Sequence, residues 1–128
     1  MKEAYGSAVI DSGCTSTVCG FGWLDDFLEK LSDYEYSNIK EEPSTVTFTF
    51  GDGVAVKSVK RITIPCVIGN LRGTITTDVV NTNIPLLLSK KSMKRAGMVL
   101  DFANDSLRIR ESVVNLNCTS SGHYILPL

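Results

Sequence analysis

Apolar and polar residues alternate along most of the chain, and this two-residue period is typical of β-strands with one buried face. The clearest alternation is TVTFTF before residues 51–53 and VAVKSV after them. Residues 51–53 read Gly-Asp-Gly, and glycine adopts the backbone conformations that a tight turn requires. The pattern therefore predicts a β-hairpin with its tip at residues 51–53, a second that turns at residues 69–70 and a third around residues 104–105.

Residues 23–31 have the period of an amphipathic helix instead. Their apolar members fall on one helical face: Trp23, Leu24, Phe27, Leu28 and Leu31. Further along, PLLLSKKSMKRAG predicts a buried strand, a capping serine at Ser89 and a short basic helix that ends at Gly97. The polar segment 33–44 predicts a loop. These elements together predict a mostly β protein with two short helices.

The bulk properties narrow the class of protein. The chain has 128 residues, of which 43% are hydrophobic and 21% charged, so we expect a single domain that spans residues 1–128. It contains no apolar run near the roughly 20 residues of a membrane span and no signal pattern, so we expect a soluble, unexported protein without a membrane partner. With a net charge of -1 and dispersed basic residues, the sequence predicts no requirement for nucleic acid. The basic cluster within residues 90–95 is better explained as a solvated helix face.

The four cysteines are Cys14, Cys19, Cys66 and Cys118. A chain with an ample core does not need disulfides, so we expect free thiols. Neither Cys14 and Cys19 nor Cys118 and His123 have the spacing of common structural zinc sites. The sequence therefore predicts no metal and no cofactor.

The stretch AVIDSGCTSTVCG, residues 8–20, carries the candidate chemistry. An apolar strand leads directly into Asp11, and the glycine two residues later allows backbone amides to approach the carboxylate and fix its orientation. Asp-Ser-Gly is weak evidence alone, because these residues are also common in turns.

In its wider context this stretch resembles the retropepsin family of aspartic proteases, and more closely the protease domains of retrotransposon Pol polyproteins. Three features carry the resemblance in the family's order: VIDSGCTSTV, the glycine-tipped hairpin about forty residues later, and the PLLLS strand before a short helix. The resemblance covers residues 5–128. It implies a closed β-barrel of the acid protease fold with a flap hairpin, an inserted helix after the catalytic loop and a short C-terminal helix.

The resemblance also implies roles for individual residues. Asp11 would be the catalytic acid, Ser12 the hydroxyl that ties two active-site loops together, and Gly13 a second support of that loop. The implied flap tip consists of Gly51, Asp52 and Gly53, and the expected substrate contacts comprise this tip and Val9, Cys14, Val18, Val54 and Leu86.

The chain has a single Asp-Ser-Gly, whereas aspartic proteolysis uses two carboxylates that share one proton. The resemblance therefore implies a homodimer in which each chain supplies one Asp11, with activity favoured by acidic pH. The expected substrate is an extended polypeptide, in a transposon the parent polyprotein itself, and the expected location is the cytoplasm or a virus-like particle.

Two departures from the family pattern bear on these expectations. Ser89 replaces the glycine that usually precedes the terminal helix. Only ten residues precede Asp11, so the N-terminal strand of the viral dimers looks missing or reduced, and dimerisation could instead use the HYILPL tail and the helix at residues 23–31.

Three alternatives remain open at this point. The first is a retropepsin-fold module that dimerises or binds peptides without cleaving them. The second is an unrelated β-rich domain in which Asp11 only closes a turn. The third is a cysteine nucleophile at Cys14 or Cys19 that uses His123, the one histidine of the chain.

Overall fold

The computed structural model describes residues 2–128 as a mostly β protein. A 3-10 turn at Lys2–Ala4 precedes the first strand. The helices are α1 (Phe21–Glu29), α2 (Asp33–Ser37) and α3 (Lys90–Arg95). The strands are β1 (Ser7–Asp11), β2 (Val18–Gly20), β3 (Lys40–Glu42), β4 (Thr47–Thr49), β5 (Ala55–Ile68), β6 (Leu71–Val80), β7 (Leu86–Ser89), β8 (Met98–Asp101), β9 (Ser106–Ile109), β10 (Ser112–Asn115), β11 (Asn117–Cys118) and β12 (Tyr124–Pro127).

Nine strands form one sheet and three form another. The large sheet has the order β11-β12-β1-β7-β2-β6-β5-β3, and β4 pairs with β5 outside this path. The small sheet has the order β10-β9-β8. Within residues 2–128 the two ends of the large sheet, β11 and β3, do not pair with each other. The closed barrel that the resemblance implied is therefore corrected to an open sheet with a second, smaller sheet beside it.

The three predicted hairpins are all present. β4 and β5 pair on either side of residues 51–53, β5 and β6 turn at residues 69–70, and β8 and β9 turn through residues 102–105. The inserted helix begins and ends two residues earlier than its apolar stripe predicts. The short helix α3 is also present, but five strands follow it, so it does not end the fold.

The segment predicted as a loop, residues 33–44, instead contains α2 and β3. Ser32 caps α2 by accepting a hydrogen bond from the Glu35 amide, and the Glu35 carboxylate accepts one from the Ser32 amide. This capping box stabilises a single exposed helical turn. The strand β3 exists because it pairs with β5, and its own sequence, Lys-Glu-Glu, carries no strand signal.

Trp23 fixes the start of the chain against the core. Its side chain is fully buried, and its ring stacks on Phe27 with centroids 5.1 Å apart. Its indole Nε1 donates hydrogen bonds to the carbonyl of Ala4 at 3.1 Å and to that of Ser7 at 2.8 Å. Helix α1 thereby holds the segment that leads into β1, and β1 carries Asp11.

The C-terminal tail is part of the same sheet. β12 pairs antiparallel with β1 on one side, with Ser7 opposite Pro127, and with β11 on the other. β1 therefore covers one edge of β12, and β11 covers Tyr124 and Ile125 on the other edge. The expected role of the HYILPL tail in dimerisation stays a prediction. In the part of the chain described, none of the helices is both long and apolar enough to cross a bilayer.

Candidate active site

Asp11 is the last residue of β1, a strand flanked on both sides. β1 pairs parallel with β7, which places Asp11 opposite Ser89, and antiparallel with β12. Side chains alternate between the faces of a strand, so Val9 and Asp11 share one face. Ala8 belongs to the main core on the opposite face. Asp11 thus projects from the strand end away from the main core.

The turn after β1 orients the Asp11 carboxylate. The amide of Gly13 donates to Asp11 Oδ1 at 3.1 Å, and the amide of Cys14 donates to the Asp11 carbonyl at 3.1 Å. A Cβ at Gly13 would lie 3.4 Å from Asp11 Oδ1, which is an ordinary van der Waals contact. The carboxylate is only partly buried, and its Oδ2 accepts no hydrogen bond from residues 2–128. One oxygen is therefore held by the turn while the other is free for a substrate, a water or a second carboxyl.

Ser12, the residue expected to tie two active-site loops together, is exposed. Its hydroxyl makes no hydrogen bond with the described part of this chain. Its expected role needs a second copy of the loop and stays a prediction.

Three hydroxyls attach the rest of the loop to the strand and helix beside it. Thr17 Oγ1 lies 3.2 Å from Ser89 Oγ and 2.7 Å from Ser92 Oγ, and it accepts the Ser89 amide at 3.1 Å. Ser89 also caps α3 by accepting the Ser92 amide at 3.1 Å. Ser89 is 1% exposed, so the serine that replaces the family's usual glycine is packed and fully hydrogen-bonded. The link between Thr17 and Ser92 was not identified from the sequence, because hydroxyl residues 75 positions apart give no local signal.

A second apolar cluster packs between the Asp11 loop and the β4–β5 hairpin, and we call this region the cleft. Its buried members are Val18, Phe48 and Val80, and the partly buried residues packed against them are Cys14, Val46, Phe50, Val56, Ile84 and Leu87. The hairpin thus covers one side of this cluster, and the loop after Asp11 and β7 form the other side.

The structure separates the predicted substrate contacts into two groups. Cys14 is partly exposed at the cleft, whereas Val18 is fully buried within the second cluster and Val9 is buried on the face of β1 that carries Asp11, so the expected contacts of these two valines with substrate stay predictions. Leu86, however, is fully buried in the main core, because alternate residues of β7 face opposite sides of the sheet. Leu87 is the member of this strand that faces the cleft and replaces Leu86 as the candidate wall residue.

The hairpin tip extends beyond this cluster. Val54 is 56% exposed, and Gly51, Asp52 and Gly53 are also exposed. Asp52 Oδ1 accepts the Val54 amide at 2.9 Å, and Gly53 has a left-handed φ of 79°, so the tip is a tight turn that needs its second glycine. No hydrogen bond or ion pair joins the tip to Asp11 within the described part of this chain, and the expected contacts of the tip with substrate stay predictions.

The thiols are poorly suited to act as nucleophiles. Burial raises the pKa of the Cys14 thiol above its usual value. A hydrogen bond to the Ser16 carbonyl lowers this pKa in part, and the nearby Asp11 carboxylate raises it. Burial raises the pKa of Cys19 to about 12. His123 lies in the tail, where its ring nitrogen Nδ1 hydrogen-bonds with Ser121. A thiolate is the reactive form, so these environments disfavour cysteine catalysis.

Alkylation of the folded protein tests this assignment. At pH 8 we expect iodoacetamide to modify Cys118 first, because it is the exposed thiol, with Cys14, Cys19 and Cys66 following far more slowly. Burial raises the pKa of Cys66 to about 11, so its thiolate is scarce at this pH. Peptide mass spectrometry over time measures the four rates. Modification of Cys14 as fast as Cys118 would restore the cysteine-nucleophile hypothesis.

A cavity of about 450 Å³ lies elsewhere, between the β5–β6 hairpin, α3 and the small sheet. It contains neither Asp11 nor any residue of the β4–β5 tip. In the part of the chain from Lys2 onwards, no group of three His, Cys, Asp or Glu side chains is placed to hold a metal ion.

Comparisons with known proteins place this geometry on a known fold. Neither the family models nor the curated proteins include a match to the chain. Among solved structures, the chain is similar to the crystal structure of the retroviral protease-like domain of Ddi1 from Leishmania major, with a TM-score of 0.58. The match has 16% sequence identity and covers 84% of this chain and 81% of that one.

The chain has a retropepsin-like fold. At 16% identity the likeness establishes the fold and leaves the activity to be argued from the site. One alternative is that Asp11 only closes a turn in an unrelated β-rich domain. The retropepsin-like fold makes this the least supported of the alternatives.

Proposed function

We propose that the protein is an aspartic endopeptidase that acts as a homodimer, with one Asp11 from each chain. The observation that carries the proposal is the Asp11 turn, in which the Gly13 amide holds Oδ1 while Oδ2 stays free. This carboxylate lies at the end of a strand on a retropepsin-like fold, and a hairpin roofs the apolar cleft that begins at Cys14.

The contacts of three other aspartates support the proposal of two chains. Asp78 is engaged by Arg61 and Ser44, Asp52 closes the hairpin tip, and Asp101 accepts hydrogen bonds from Ala103 and Asn104. These carboxylates are committed to structural contacts away from the Asp11 turn. The chain has a single Asp-Ser-Gly turn, so we propose that the second carboxylate of the pair is Asp11 of a second copy, related to the first by a two-fold axis.

In such a pair the two carboxylates hold a single proton, because like charges about 3 Å apart do not both ionise. The ionised Asp11 accepts a proton from a water that attacks the scissile carbonyl, while the protonated Asp11 donates to the carbonyl oxygen. The Gly13 amide fixes the orientation of each carboxylate.

The cleft is suited to an extended polypeptide. An extended chain offers main-chain hydrogen bonds to the hairpin and directs alternate side chains into apolar walls. The partly buried members of the cluster, among them Cys14, Val56 and Leu87, are the candidate walls, because Val18 and Phe48 are buried in the single chain. We propose the parent polyprotein of a transposable element as the natural substrate, with cleavage in the cytoplasm or within a virus-like particle.

Cleavage of reduced, carboxymethylated serum albumin between pH 3 and pH 8 tests the proposal. We expect the rate to be highest at acidic pH and to fall as the pH rises, because the shared proton is lost. A statine-type transition-state analogue should inhibit cleavage and should leave a metalloprotease control unaffected. Activity that is flat across this range, or insensitive to the analogue, would exclude the shared-proton mechanism.

One observation favours a second candidate, a peptide-binding or dimerisation module without catalysis. Phe48 of the hairpin is only 6% exposed and packs in one buried cluster with Val18. In the single chain the hairpin is therefore closed against the residues that follow Asp11. Absence of cleavage at every pH, combined with dimerisation in sedimentation, would support this candidate.

A further inference from the structure

Asp78 is a buried carboxylate that the proposed chemistry does not use. The residue is 3% exposed and lies on β6, between β2 and β5. Its Oδ1 accepts a hydrogen bond from Ser44 Oγ at 2.6 Å and from Arg61 Nε at 3.0 Å. A buried charge is retained at a large desolvation cost unless it is paired and hydrogen-bonded, and Asp78 is both.

A chain of hydrogen bonds leads from Asp78 to the base of the β4–β5 hairpin. Ser44 Oγ lies 2.7 Å from Ser58 Oγ, and Ser58 Oγ accepts the Val46 amide at 2.8 Å. The Ser58 amide in turn donates to the Val46 carbonyl at 2.8 Å. Both arms of the hairpin are therefore tied to one carboxylate. We call Ser44, Ser58, Arg61 and Asp78 the hairpin anchor.

The anchor coincides with a bend in β5. The pairing of β5 with β6 shifts register between Ser58 and Lys60, and the extra residue, Val59, is 52% exposed. Such a bulge bends a strand and increases its twist. On the tip side of Ser58, β5 pairs with β4, whereas on the other side it pairs with β6 and β3. The hairpin leaves the large sheet at this point.

Asp78 also contacts the loop that follows Asp11, through its backbone amide. The backbone amide of Asp78 donates to the Thr17 carbonyl at 3.0 Å, and the Thr17 hydroxyl bonds to Ser89 and Ser92. Asp78 therefore connects the base of the roof with the loop that follows Asp11. No described contact joins the Asp78 side chain to Asp11 itself, so any effect on the reaction passes through the hairpin.

We propose that Asp78 is a positioning residue, which through the hairpin anchor sets the height and angle at which the β4–β5 hairpin covers the cleft. The proposal rests on the proposed function for its meaning in catalysis. Its structural content, restraint of the hairpin by the anchor, can be measured without any activity.

Ser58→Ala and Asp78→Asn interrupt the anchor at two places. Ser58→Ala keeps the Asp78–Arg61 pair and removes the hydroxyl that reaches Val46, so it is the variant expected to fold normally. Glu41→Gln is the matched control, because Glu41 bonds Lys60 across β3 and β5 at 2.9 Å but is exposed and outside the anchor.

Hydrogen exchange followed by mass spectrometry gives the first readout. In Ser58→Ala and Asp78→Asn we expect exchange in residues 46–57 to accelerate about five- to tenfold, the effect of losing about one hydrogen bond, with β1 and β7 unchanged. Glu41→Gln should match the wild type. Unchanged exchange in the hairpin, or equal acceleration throughout the chain, would overturn the anchor.

Peptide cleavage gives the second readout. In Ser58→Ala we expect KM to rise about five- to tenfold with a smaller change in kcat, because the hairpin binds substrate and does not react with it. A roughly five- to tenfold fall in kcat without a change in KM would overturn the positioning role. If the wild type cleaves no peptide, the proposed function fails, and the exchange measurement still decides whether the anchor restrains the hairpin.

Discussion

Asp11→Asn is expected to lower the rate of peptide cleavage at least about 10²- to 10⁴-fold, the usual contribution of a positioned acid or base. An amide neither accepts the proton of the attacking water nor shares a proton with a partner carboxyl. The measurement is kcat/KM on a peptide from an observed cleavage site, with thermal melting as the test of folding. The melting temperature should be close to that of the wild type, because the side-chain oxygen of the introduced asparagine can still accept the Gly13 amide.

Asp33→Asn is the matched control for this substitution. Asp33 is exposed on α2, and within residues 2–128 its side chain makes no hydrogen bond or ion pair. This substitution removes one negative charge by the same change in atoms as Asp11→Asn, and we expect the variant protein to retain the wild-type rate. Retention of activity by Asp11→Asn, or an equal loss in both variants, would remove Asp11 from the mechanism.

Gly20→Ala is expected to destabilise the protein by about 1–3 kcal/mol or more, the range for overpacked sites. A Cβ on Gly20 would lie 2.0 Å from the Thr82 carbonyl oxygen and 2.9 Å from that of Ile84. Both obstacles are backbone, and the Gly20 amide donates to the Ile84 carbonyl at 3.1 Å, so the close approach is part of the structure. Urea unfolding measures the change.

Gly22→Ala gives the opposite expectation two residues away. A Cβ there meets only the Tyr5 hydroxyl at 3.6 Å and the Asn83 side chain at 4.0 Å, which are ordinary contacts. Gly22 lies in α1, where alanine is favoured over glycine by up to about 1 kcal/mol, so the variant should be neutral or more stable. A Gly20→Ala protein as stable as Gly22→Ala would contradict the packing between β2 and residues 82–84.

Locally encoded features could be predicted from the sequence, and the hairpin tips are the best example. The alternation around residues 51–53 and the glycines themselves specify a turn without reference to the rest of the chain. The start of α1 is less well specified, since its N-cap residue, Gly20, makes no side-chain capping bond. The Asp-Ser-Gly turn likewise indicates the Gly13–Asp11 hydrogen bond, which the structure contains.

Features that depend on strand pairing could not be predicted. Leu86, Leu87 and Leu88 form an unbroken apolar run, so only the register that places Leu87 opposite Val9 decides which leucine faces the cleft. Asp78 gives no signal either, because Arg61 approaches it only when β5 pairs with β6. The open path of the large sheet depends on the same distant pairings.

The central claim is that catalysis requires two Asp11 carboxylates, one from each chain, and subunit mixing tests it most directly. Wild-type protein at fixed concentration is incubated with a tenfold excess of Asp11→Asn protein long enough for subunits to exchange, and cleavage is then measured. Random pairing leaves about a tenth of the wild-type chains in wild-type homodimers, so we expect a fall to about a tenth of the initial rate. An unchanged rate would show that a single chain, with a single Asp11, is sufficient, and would contradict the shared-carboxylate mechanism.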